Sequence, residues 1–135
     1  MLRKINHIGI AVQSIEATLP FYKNTFGMEF LEEEEIPAMK IKIAMLKIGE
    51  SKIELLQPTS EDSYIAKFLE KNGSGIHHIA YETDDIDAEI EKLTAQGIKM
   101  IDEKPRCGAH GTRIAFIHPK SSNGVLTELC QTKYP

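Results

Sequence analysis

At 135 residues, with 41% apolar and 27% charged residues, the chain has the size and composition of one globular domain, which excludes disorder and a membrane-embedded class. A net charge of −4, spread along the chain, leaves no basic stripe for phosphates, so nucleic acid is not an expected partner. Two cysteines, Cys107 and Cys130, are too few for a disulfide framework or a zinc ribbon, and no apolar run is long enough to span a membrane, so a reducing, cytoplasmic compartment is expected.

Residues 4–12 place His7, Gly9 and Ala11 on one face and Ile8, Ile10 and Val12 on the other, which is strand periodicity. Ser14 offers an N-cap to a helix running to about Phe26 and closed by Gly27. Pro20 either kinks that helix or marks where its regular part begins. Strands are expected at Phe30–Glu35, Met39–Ile48 and Lys52–Leu56, the last two joined by a Gly49-Glu50 turn. Ser60–Asn72 reads as a helix with Ile65, Phe68 and Leu69 as its buried stripe and Gly73 as its stop. The plan then recurs: a strand at His77–Thr83, Asp84 and Asp85 as helix-start acids, and a helix at Ile86–Gln96 closed by Gly97. Strands at Lys99–Glu103, Arg113–His118 and Val125–Cys130 follow. The expected class is α+β: one domain over 1–135, built of two βαβββ repeats (about 1–58 and 75–135) joined by a linker helix at about 60–72.

The repeat carries chemistry. Ile5-Asn6-His7-Ile8-Gly9-Ile10-Ala11-Val12 is answered about 70 residues on by Ile76-His77-His78-Ile79-Ala80-Tyr81-Glu82-Thr83. Ile53-Glu54-Leu55-Leu56-Gln57 is likewise answered by Leu126-Thr127-Glu128-Leu129-Cys130-Gln131. His7 shares its face with Gly9 and Ala11, and His78 with Ala80; such small neighbours leave a hollow, while Ile8, Ile10, Ile79 and Tyr81 suit burial under a helix. A carboxylate in mid-strand among apolar residues, as at Glu54 and Glu128, is costly to desolvate without a cationic partner. His7, Glu54, His78 and Glu128 together offer two nitrogen and two oxygen donors, a set suited to one six-coordinate divalent ion such as Co²⁺, Ni²⁺, Mn²⁺ or Zn²⁺, with positions open for a substrate. His77 points to the other face and reads as structural, and Cys130, on the face of Glu128, reads as packing. His110 and His118 lie in or beside a loop from which a ligand can be touched. The segment Gly108–Gly111 is a flexible cover, a phosphate contact or a plain hairpin connection.

With Asn6-His7-Ile8-Gly9-Ile10-Ala11, the 58–72 stretch, Gly75-Ile76-His77-His78-Ile79-Ala80, Gly108-Ala109-His110-Gly111 and His118-Pro119-Lys120 followed by Gly124-Val125-Leu126-Thr127-Glu128-Leu129, essentially the whole chain resembles the vicinal oxygen chelate superfamily (glyoxalase/bleomycin resistance/dioxygenase), and within it the methylmalonyl-CoA epimerase family. The resemblance implies two βαβββ modules forming a cleft around a metal, usually in a homodimer. It also implies an acyl-CoA substrate, with (R) and (S) methylmalonyl-CoA interconverted through a metal-stabilised enolate. It carries the metal ligands over to His7, Glu54, His78 and Glu128, with Co²⁺ as the expected ion, and points to Glu128 and Glu54 as the acid/base groups. Several bacterial members have glutamine in place of Glu54, and a glutamate, taken as one acid/base, where this chain has Ile43, flanked here by Lys40 and Lys42. Glu54 then takes the absent group's part, as paired glutamates are thought to do in glyoxalase I. The alternatives are glyoxalase I itself, which shares the ligand set, and a drug-sequestering module of the same superfamily, a class that generally lacks the complete set.

Overall fold

Ser14 fulfils its capping role: its side chain accepts from the Ala17 amide, and the helix α1 (Ile15–Pro20) follows β1 (Leu2–Ala11). This computed structural model describes residues 1–132, so the last three residues of the second expected repeat, 133–135, lie outside it. Pro20 has no amide to donate back into the helix, and the chain answers by widening into a π-helical turn, Phe21–Thr25, in which the Phe26 amide donates to the Phe21 carbonyl at 3.0 Å. The regular helix therefore lies before the proline rather than after it, and Gly27 ends the turn at φ +73°.

The three strands that follow are β2 (Glu29–Ile36), β3 (Ile41–Ile48) and β4 (Ser51–Pro58). Met39 does not begin a strand as expected. Pro37–Met39 form a 3₁₀ turn with Lys40 left-handed at φ 56°, its amide donating to the Pro37 carbonyl at 3.1 Å, so pairing resumes only at Ile41. The linker helix α2 (Tyr64–Asn72) is also shorter than expected. Ser60 starts a turn that accepts the Ser63 amide, and the buried Ser63 side chain caps the helix through the Ile65 amide.

In the second half, β5 (Gly75–Thr83) leads to α3 (Ile86–Ala95), capped by Asp85 through the Ala88 amide. The expected strand at Lys99–Glu103 is replaced by a single bridge, Met100 to Ile117. There the Asp102 carboxylate, instead of a backbone carbonyl, accepts from the Phe116 amide at 2.8 Å, which takes the ladder out of register. The second strand of the repeat comes later and is short: β6 (Arg106–Cys107), just after Pro105, followed by β7 (Arg113–Ile117) and β8 (Thr127–Gln131).

The chain divides into two units, one of His7–His77 and one combining residues 1–6 with the chain from His78 onward. In the first the strand order is β2-β3-β4-β1, and in the second β6-β7-β8-β5. Each closes with a parallel pair, β1 with β4 and β5 with β8, and is otherwise antiparallel. One hydrogen bond is repeated too: the Ile15 amide donates to Gln57 Oε1 at 2.7 Å, and the Ile86 amide to Gln131 Oε1 at 2.9 Å, so each helix start is tied to the end of its unit's last strand. Burial of Val12, Ile15, Ala44, Leu46 and Leu55 holds α1 on the strands of the first unit, and Ile86, Ile90, Ala115, Ile117 and Leu129 hold α3 on those of the second. The class is α+β, as expected.

Candidate functional site

Parallel register explains why each copy sets a histidine beside a glutamate. In the first unit Gly9 of β1 stands next to Glu54 of β4, with His7 two residues earlier on the same face. In the second, Ala80 of β5 stands next to Glu128 of β8, with His78 two residues earlier. A glycine or alanine beside each carboxylate leaves it space to turn toward the imidazole. His7 Nε2 lies 3.5 Å from Glu54 Oε2, and His78 Nε2 lies 3.4 Å from Glu128 Oε1. All four residues are buried, between 3% and 5% exposed. The histidine faces are in fact the more deeply buried: Ala11 and Ala80 are fully covered, while Ile8, Ile10, Ile79 and Tyr81 are half-buried.

Burial sets the charge states of the first pair. It pushes His7 down to about 3, assisted by the Lys52 charge, so at neutral pH the imidazole is neutral with a lone pair to offer. It pushes Glu54 up to about 7; the positive charge of Lys52 opposes that rise and the negative charge of Glu34 adds to it. Within each unit the buried pair, His7 with Glu54 or His78 with Glu128, offers one imidazole nitrogen and carboxylate oxygens, donors of the kind a divalent ion takes. In the second pair, the His78 ring packs edge-on to Phe116 at 5.5 Å, and the Arg106 guanidinium lies over the other end of that contact, 5.5 Å from the Phe116 ring.

The model of the glyoxalase/bleomycin resistance protein/dioxygenase superfamily matches residues 6–116. The chain belongs to that superfamily. It is similar to the ethylmalonyl-CoA/methylmalonyl-CoA epimerase of Cereibacter sphaeroides, with 42% identity over 97% of this chain and 99% of the relative. It is similar to the mitochondrial methylmalonyl-CoA epimerase of Homo sapiens, with 40% identity over 96% of this chain and 74% of the relative. A solved methylmalonyl-CoA epimerase in complex with methylmalonyl-CoA and NH4+ superimposes with a TM-score of 0.95 at 43% identity, covering 99% of this chain and 97% of that one.

Other residues of this superfamily member fall as follows. Ile43 is buried in unbroken register, opposite Leu56 on one side and Glu34 on the other, so the face that carries Glu54 has an apolar side chain there. His77 sits among the rings of Tyr64 at 5.6 Å and Phe68 at 5.0 Å, and burial lowers it to about 4. His118 Nδ1 accepts from the Lys120 amide at 3.0 Å, whereas His110 is exposed at φ 59° in the 3₁₀ turn Ala109–Gly111. Cys130 is buried with Ala80, Ile114 and Phe116. The sequence reading overlooked Lys52, although its place two residues before Glu54 was the signal to use.

Proposed function

We infer that this protein is a methylmalonyl-CoA epimerase, an isomerase of acyl-CoA. The observation that carries the reading is the doubled His–Glu pair, His7–Glu54 and His78–Glu128, set in matching parallel registers of a chain that resembles such epimerases over nearly its whole length. The donor chemistry fits one divalent ion shared by His7, Glu54, His78 and Glu128, and we assign Co²⁺ to it. When bound, such an ion supplies Lewis-acid stabilisation of the enolate charge.

The chain's own residues supply the rest. Glu128 takes the α-proton on one face of the acyl carbon while the C–H electron pair moves into the thioester. Glu54, the second acid/base group, returns a proton to the opposite face. Both carboxyls are buried, which limits solvent access to the carbanion. A homodimer in the cytoplasm completes the proposal. The family resemblance supports the dimer, and Cys107 and Cys130, which form no disulfide among the described residues, support a reducing compartment.

The test uses two substrates. In D₂O with Co²⁺, methylmalonyl-CoA should exchange its α-hydrogen and lose its stereochemical excess, while methylglyoxal with glutathione should yield little product. The reverse pair of results would transfer the protein to glyoxalase I, represented among its relatives by the lactoylglutathione lyase of Arabidopsis thaliana at 27% identity.

A further inference from the structure

Lys52 occupies an unusual place. It is the direct cross-strand neighbour of His7 in the parallel pair and precedes Glu54 by two residues, so all three share one face of the first unit. Strand geometry sets its Cα about 5 Å from that of His7 and about 7 Å from that of Glu54. Its charge is felt at both, lowering His7 and opposing the rise of Glu54. On its other side it faces Lys47 of β3, a like-charge cross-strand pair that costs stability, and Glu29 of β2 lies beyond Lys47. Among the described residues no ion pair holds the half-buried Lys52 ammonium.

A cation set beside the ligands of a second cation is repelled by it unless an anion lies between them. The repeat sharpens the point. Glu128 is preceded at the same distance by Leu126, so the ammonium is present in one copy only and suits a ligand with a single anionic group at its reacting end. Resting on the epimerase reading, we propose that Lys52 binds the free carboxylate of methylmalonyl-CoA and thereby selects a 2-carboxyacyl group over a plain acyl group. A carboxylate has two oxygens, and one of them can accept from the Lys52 ammonium while the other is left for the cation. Nothing in this role needs a proton to move.

Calorimetric titration of the metal-loaded wild type, Lys52→Met and Lys52→Arg with methylmalonyl-CoA and with propionyl-CoA separates the possible anions, because propionyl-CoA lacks only the carboxylate. Lys52→Met should weaken methylmalonyl-CoA by about ten- to a hundredfold, the range of one charge-assisted hydrogen bond, and propionyl-CoA by less than about twofold. Lys52→Arg should restore most of the difference. Lys67→Met, which removes an equal charge from the exposed side of α2, should leave both constants unchanged. Equal weakening of both ligands would place Lys52 on the CoA phosphates and overturn the proposal. Unchanged binding, or an equal loss in Lys67→Met, would overturn it as well. A wild type that exchanges no α-hydrogen from methylmalonyl-CoA removes the epimerase reading itself, an outcome visible before any variant is made.

Discussion

Replacing Glu54 by glutamine separates two tasks that the proposed mechanism gives to one side chain. The amide keeps an oxygen for the cation, so metal content should remain near one ion per chain, while epimerisation should fall by about 10² to 10⁴, the usual worth of a general acid–base group. The metal-free protein supplies an independent reading. Its Glu54 carboxyl is raised from 4.5 to about 7 by burial, so the folded state keeps a proton that the unfolded chain has already lost, and stability falls as pH rises through that window. The size of that loss is on the order of 3 kcal/mol. His7 acts with the opposite sign: lowered from 6.5 to about 3, it lends stability above its unfolded value that is lost as pH falls toward 3. Glutamine removes only the first slope. Urea denaturation in chelator should therefore show Glu54→Gln gaining on the wild type between pH 4.5 and pH 7 by on the order of 3 kcal/mol. A difference between the two proteins that stays constant across that range refutes the buried-carboxyl account, and full activity in Glu54→Gln refutes its proton-transfer role. Adding Ile43→Glu to Glu54→Gln puts a carboxyl at the position opposite Leu56 on the same face, and should recover part of the lost rate.

His7→Ala and His78→Ala should each lose most of the bound metal by elemental analysis while retaining a cooperative unfolding transition; metal kept in both variants would mean that the ion is held elsewhere. Gly108→Ala should cost about 1–3 kcal/mol by thermal or urea denaturation. Its new methyl would stand 2.8 Å from Ile114 Cγ2 and Thr112 Oγ1, and Ile114 is packed among Ala80, Phe116 and Cys130 with little room to yield. An unchanged stability would show that the 108–112 turn relaxes freely.

Period-two alternation, helix caps and an internal repeat are local signals, and they were enough to give the βαβββ plan, Ser14 as a cap, Asp84 and Asp85 at a helix start, and the matching placement of His7 and Glu54 in one copy and of His78 and Glu128 in the other. What they could not reach depends on partners distant in the chain. The strand at Lys99–Glu103 has the right composition, but the Asp102 carboxylate competes for the Phe116 amide, and that competition exists only once β7 is alongside. Pro20 announces a disturbance of the helix, but that it is a π-helical turn with Leu19 and Tyr22 packed on the first unit's core, and not a break, is seen only in the folded chain. The pairing of each histidine with its own repeat's glutamate follows from parallel register, which places Gly9 and Ala80 beside the carboxylates. Lys52 is the clearest case. In one dimension it is a lysine two residues before a glutamate; the parallel β1–β4 pairing makes it the neighbour of His7, and so gives it a part in the site.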